Sequence, residues 1–285
     1  MKSGTSVERY EIDIVDKLRS FEKDGKGQLL ELCTIKAGKR QLPFVAFTTG
    51  EQVVVTARHH INEFWGPTEI VMKLAESGQE GLTLVPVVDV AHYANSEVMK
   101  KGYLEDAGGW GPLFMQDTLT GYKGNPPQNA KNNWSDYCYL SDDCPPYIAA
   151  VKRFIDNSKL LVDLHNCGQY SFFFLTIPTG TETEDRIFEL IAEEMEARKQ
   201  TVQTATYVDR GKRLASGVYQ FAGIHHNTAI DYTAELGIPN IGVEVPVFSY
   251  KGAKFQLRDI GDLVEVTSGT FSNIARDIVG GKPSW

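Results

Sequence analysis

The chain has 285 residues, 42% hydrophobic and 23% charged, which is the balance of a globular protein with ample material for a core. Its net charge of −8, with lysines and arginines scattered rather than striped, argues against nucleic acid as a partner. No apolar run reaches the roughly 18 residues that a membrane helix needs, so no membrane span is predicted. The opening MKSGTSVERYEID lacks an apolar signal stretch, which places a full-length chain in the cytoplasm unless an export signal has been removed.

Taken in chain order, Thr5 and Glu8 have capping-box spacing, and Val7, Tyr10, Ile14, Leu18 and Phe21 recur with helical period, predicting an amphipathic helix over 6–22 that ends at Gly25 and Gly27. Three short runs rich in apolar and branched residues follow, at 29–35, 42–47 and 53–57, and read as strands. Pro67 suits the first turn of a helix over 67–77, and LTLVPVV (82–88) is another buried strand. Residues 91–145 have no sustained period, yet they carry Tyr93, Tyr103, Trp110, Tyr122, Trp134, Tyr137 and Tyr139. So many aromatic residues predict folded loops shaping a pocket rather than disorder. Cys138 and Cys144 are close enough in sequence to bridge, but without a visible export signal free buried thiols are expected, with a disulfide the alternative.

Pro145 and Pro146 open a helix to about Asp156. Strands follow at 159–165 and 171–177, and Thr181 and Glu184 cap a helix with acids at its start and Arg198 and Lys199 at its end, as the helix dipole favours. A helix over 228–236, a strand over 241–247 and a last helix over 267–278 complete the chain. The alternation of strands and helices, without linker or repeat, predicts one α/β domain over 1–285 with a mixed, mostly parallel central sheet flanked by helices. Ligands of such sheets bind beyond the carboxyl ends of the strands.

That rule directs attention to VVVTARHHINEF, where a buried strand runs into His60-Ile61-Asn62-Glu63. Residues three apart share a helical face, so His60 and Glu63 can aim an imidazole and a carboxylate at one point. A catalytic zinc takes three protein ligands and keeps one open position. His165, closing the strand KLLVDLH, supplies the third. Asp163, two residues earlier, faces the same way and is placed to orient a ligand histidine. His59 is the neighbouring alternative to His60, read as a supporting or surface residue; Cys167 and His92 are weaker alternatives, and one of His225 and His226 could line the pocket.

With these residues in place, the chain resembles the zinc metallocarboxypeptidase family over nearly its whole length. The segment before HINE, the 105 positions between His60 and His165, and the stretches VYQFAGIHHNTAIDY and GIPNIGVEVP all follow that family's order. The resemblance implies a carboxypeptidase-like fold, a zinc ion, Tyr219 as the mobile substrate-binding tyrosine, Glu244 as general base and Ile230 near the specificity pocket. In the family an Asn-Arg pair holds the substrate carboxylate. Here AKNNW (130–134) places Asn132 or Lys131 where the arginine is expected, beside Asn133, and lysine cannot form the two parallel bonds that arginine makes. The family's Asn-Pro-Asp-Gly segment is replaced by VDVAHYA, and Arg58, Lys123 and Lys131 are candidates for the carbonyl-polarising cation.

The expected activity is therefore zinc-dependent hydrolysis of an amide bond, releasing a C-terminal residue from a peptide, including atypical or cell-wall peptides. Glu244 would take a proton from a water whose pKa the metal lowers to about 7. A deacylase of small N-acyl amino acids is the alternative, and a non-catalytic binding module is a third reading. The substrate partner is a peptide or small amide in either enzymatic case.

Overall fold

The computed structural model describes residues 10–37, 40–59, 66–88, 90, 116–117, 122–123, 138–142, 144–167, 173–197, 212–215, 217–220, 228–246, 248–251, 254–257 and 260–281. A π-helical stretch, Glu11–Asp16, runs directly into helix α1 (Lys17–Lys23). Its apolar side buries Tyr10, Ile14, Val15 and Leu18, as the period over 6–22 predicts, and the expected cap at Thr5 lies outside the described residues.

Strands β1 (Gln28–Ala37), β2 (Arg40–Thr48), β3 (Val53–Ala57) and β4 (Leu82–Val85) lie on one side of the sheet, with helix α2 (Pro67–Ser77) crossing from β3 to β4. Two-residue strands β5 (Gln116–Asp117) and β6 (Tyr122–Lys123) pair with each other. Then come helix α3 (Pro146–Asp156), β7 (Leu160–Cys167), β8 (Phe173–Thr176) and helix α4 (Glu182–Ala197). The chain closes with β9 (Lys212–Ala215), β10 (Val218–Gln220), helix α5 (Ala229–Glu235), β11 (Asn240–Pro246), a hairpin of β12 (Phe248–Lys251) and β13 (Lys254–Leu257), and helix α6 (Gly261–Val279).

Among the described residues nine strands form one mixed sheet in the order β1-β2-β4-β3-β7-β11-β8-β10-β9. Its centre, β4-β3-β7-β11, is wholly parallel, while β2 on one side and β8 on the other join it antiparallel. A strand covered on both faces must be apolar almost throughout. Accordingly Val53, Val54, Val55 and Ala57 of β3 and Leu160, Leu161, Val162 and Leu164 of β7 are all fully buried. Because these strands are parallel, their carboxyl ends emerge at one edge, which is where the candidate residues cluster.

The two faces differ. Phe174 of β8 meets Phe271 of α6 edge-to-face at 6.4 Å, and α6 packs on α2 and α4 on that side. On the other side, Phe44 of β2 meets Tyr147 of α3, and α5 packs on β7 and β11. Helix ends are closed by side chains that satisfy orphan amides. Glu184 accepts from the Thr179 and Gly180 amides at 2.7 and 2.9 Å, and Thr228 and Asp231 cap α5 reciprocally.

Two differences from the sequence expectation have physical causes, and a third is a hairpin the pattern did not predict. Helix α6 begins at Gly261 rather than 267, because packing of Val266, Thr267 and Thr270 outweighs the low helix propensity of this β-branched stretch. The strand beginning at Leu82 ends at Val85, since Pro86 has no amide to continue the ladder. The β12–β13 hairpin has no counterpart in the expected elements. Among the described residues no disulfide is formed, so Cys138 and Cys144 are not bridged, and no helix is long and apolar enough to cross a membrane.

Candidate metal centre

Strand β3 delivers its carboxyl end into a tight exit. Arg58 follows Ala57 with φ +62°, a left-handed conformation that costs a non-glycine residue about 1–2 kcal/mol. The Ala57 carbonyl is held by the Val88 amide at 3.0 Å, so the strand end is fixed while the chain turns. The turn drives both Arg58 and His59 inward, to 2% and 1% exposure.

Strand β7 lies beside β3 in parallel register, with Thr56 opposite Asp163 and Ala57 opposite Leu164. The pairing brings the Thr56 hydroxyl to donate to Asp163 Oδ1 at 2.8 Å across 107 residues of sequence. His59 Nδ1 lies 2.9 Å from the same oxygen. The other oxygen, Oδ2, accepts from His165 Nε2 at 2.8 Å. His59 Nε2 in turn meets the Tyr139 hydroxyl at 2.9 Å, and the two imidazoles stack at 5.7 Å between centroids. Asp163 thus sits between two histidines. Burial alone would push its carboxyl up, but the charge and hydrogen bonds of His165, and then of His59, outweigh that and hold it well below the usual carboxylate range.

His59, Asp163 and His165 each offer a nitrogen or oxygen within 4.8 Å of the others, so they form a group capable of holding a metal ion. Zinc accepts both ligand types. The arrangement also has the form in which a carboxylate orients a ligand histidine: with Nε2 of His165 turned to Asp163, a metal would be met by Nδ1.

Strand β11 runs parallel on the far side of β7, with Glu244 opposite His165 and Gly242 opposite Asp163. Register partners in neighbouring strands share a sheet face about 4.8 Å apart. Glu244 therefore stands beside His165, half-buried, between the fully buried Val243 and Val245. Its neighbour on the other side of the row is Phe173 of β8.

Tyr219 is not brought to this cluster. It lies in β10, 1% exposed, in register with Leu175 of β8, which pairs with Gly242 and so leads back to Asp163. That row puts it three strands away, about 14 Å by strand spacing, in a buried strand position rather than on a mobile loop. Ile230 is buried in the first turn of α5. His60, Glu63, His92, Lys131, Asn132, Asn133, His225 and His226 lie outside the described residues; Lys123 belongs to β6. The surface alternative for His59 is excluded by its burial. Two members of the cluster, Thr56 and Tyr139, carried no such expectation. Thr56 shows no signal in an apolar strand, whereas Tyr139 is one of the aromatic residues that mark the irregular stretch.

No protein-family model matches the chain, and no curated protein matches it by sequence. Solved structures do match, and they give the fold its class: this is the fold of the zinc carboxypeptidases. Bovine thrombin-activatable fibrinolysis inhibitor, solved with tick carboxypeptidase inhibitor, superposes with a TM-score of 0.61 at 12% identity over 95% of this chain and 97% of that one. A candidate carboxypeptidase A from Shewanella denitrificans gives 0.60 at 13% identity over 93% and 68%. A metallo-carboxypeptidase from Pseudomonas aeruginosa, solved with (2-guanidinoethylmercapto)succinic acid, gives 0.53 at 14% identity over 94% and 68%. At such identities the likeness establishes fold, and activity has to be argued from the site.

Proposed function

We propose that this protein is a zinc-dependent hydrolase of amide bonds, acting as a metallocarboxypeptidase that releases a C-terminal residue from a peptide. The observation that carries the reading is the register of β7 and β11, which sets Glu244 beside His165 at the carboxyl edge of the parallel core. The donor set suits the metal, because His165 already has a buried carboxylate behind its Nε2. His60, Glu63 and His165 would hold the ion. When bound, it supplies Lewis-acid polarisation of the scissile carbonyl and of the attacking water.

The remaining work falls to the chain's own groups. Glu244 accepts the proton of the attacking water at its carboxylate and returns it to the leaving amine. Its carboxylate is half-buried at the carboxyl end of β11, between Val243 and Val245 in sequence. Asp163 holds His165 in one tautomer. Lys131, Asn132 and Asn133 are assigned to the substrate's terminal carboxylate; Tyr219, buried in β10, takes no part in this assignment. Because lysine grips a carboxylate with a point charge rather than a planar fork, the substrate class includes atypical and cell-wall peptides.

The test is to measure bound metal and then incubate wild type and Glu244→Gln with peptides of varied C-terminal residue, muropeptides and N-acyl amino acids, following products by mass spectrometry. Release of a single terminal residue by wild type alone supports the proposal. Release of an acyl acid makes the protein a deacylase instead. No product from any class, with zinc bound, makes it a binding module.

A further inference from the structure

We infer that His59 and Tyr139 are positioning residues for the proposed metal site, acting through Asp163 as a carboxylate shared by two imidazoles. The inference rests on the reading of His165 as a metal ligand, and it changes the part played by His59.

A carboxylate can only accept hydrogen bonds. The ring nitrogens that face Asp163 are Nε2 of His165, which donates to Oδ2 at 2.8 Å, and Nδ1 of His59, which lies 2.9 Å from Oδ1 as an ion-pair contact. For His165 this leaves Nδ1 as the metal-facing nitrogen. On His59, Nε2 meets the Tyr139 hydroxyl 2.9 Å away. Both nitrogens of His59 thus lie 2.9 Å from protein oxygens, and ligation would require one of those contacts to break. Although His59, Asp163 and His165 are close enough to bind an ion together, their contacts favour a different division of labour: His165 ligates, Asp163 orients it, and His59 fixes Asp163.

Tyr139 extends this line outward. It is fully buried, lies 80 residues from His59 in sequence, and its ring packs against Tyr232 of α5 at 6.4 Å. Tyr232 is itself tied to Asp156 of α3 by a 2.6 Å hydrogen bond. The helical layer on this side of the sheet is thereby connected, through one phenol and one imidazole, to the carboxylate that sets the orientation of His165. Burying a carboxylate between two imidazoles is a poor way to gain stability, since the desolvation cost offsets most of the attraction. Holding a ligand in one orientation accounts for it.

Two measurements test this. In metal-free protein with 15N-labelled histidine, proton NMR should show ring N–H signals from His59 Nδ1 and His165 Nε2 protected from exchange, and Tyr139→Phe should shift the His59 signals while the fold stays intact. In zinc titrations Tyr139→Phe should weaken binding about fivefold, the size of one net hydrogen bond. His59→Gln should weaken it about 10–100-fold, as loss of an outer partner does. Both variants should keep one zinc per chain. Loss of that stoichiometry in His59→Gln, with Glu63→Gln still binding, would make His59 a ligand and overturn the inference. Wild-type zinc affinity in both variants, with unchanged NMR signals, overturns it alone. A wild-type protein that takes up no zinc overturns both it and the metal reading.

Discussion

Strands β7 and β11 run side by side, parallel and in register from Leu161 with Asn240 to Cys167 with Pro246, yet they treat their polar residues in opposite ways. On β7, Asp163 is buried and all three of its named contacts, from Thr56, His59 and His165, fall between 2.8 and 2.9 Å. On β11, Glu244 stands two residues further along, in the row of His165, and is half-buried, with valines before and after it. A carboxylate enclosed by donors has its geometry fixed and its proton affinity lowered. One at the rim of a strand end can exchange a proton with a substrate. In the proposed reading, the two carboxylates on neighbouring strands do different work, one holding and one reacting.

The sharpest way to break that comparison is to neutralise each carboxylate in turn. Glu244→Gln should lower kcat by about 10²–10⁴, the usual reach of a general base, with zinc content and melting temperature unchanged; single-turnover hydrolysis assays read it. Turnover at the wild-type rate would remove Glu244 from the mechanism. Asp163→Ala should act in the opposite sense, on stability first. Removing one member of a buried ionic cluster strands the others and costs about 3–5 kcal/mol, read as a drop in the urea midpoint.

The same carboxylate gives a pH signature. Asp163 is held below the ordinary carboxylate range in the folded chain, so its contribution is complete above the unfolded value of about 3.9 and is lost as pH falls through the folded value. Asp163→Asn should flatten that acid limb of the stability curve, as followed by thermal melts between pH 2 and about 6. Thr56→Val removes a single hydrogen bond to Oδ1 and should cost about 1 kcal/mol in the same assay. The smallest effect is expected far from both strands. Lys73 and Glu265 pair at 2.7 Å on the surface, with side chains 41% and 64% exposed, and Lys73→Ala should leave the melting temperature unchanged in thermal melts.

Much of the centre was legible in advance because its signals are local. VVVTA, KLLVDLH and IGVEVPV are apolar runs that only a strand covered on both faces requires, and they became β3, β7 and β11. Proline at the first turn marked the start of α2. Period two alone placed Asp163 and His165 on one face. The contact between Asp163 and His59 was not legible, since it depends on β3 and β7 being neighbours in register and on Arg58 turning the chain inward. Tyr139 shows the same limit: an aromatic residue in an aperiodic stretch announces a folded loop without saying what it touches.

What the amino-acid order decided for this protein, then, is which segments are strands and helices and which strand ends carry chemistry, because side-chain pattern and backbone preference act over a few residues. The tertiary structure decided which of those ends meet. The order β3-β7-β11, the alignment of Glu244 with His165, and the sharing of one carboxylate by two histidines arise from pairings between segments some 80 to 107 residues apart. Such pairings are selected by the packing of the whole sheet rather than by any local preference.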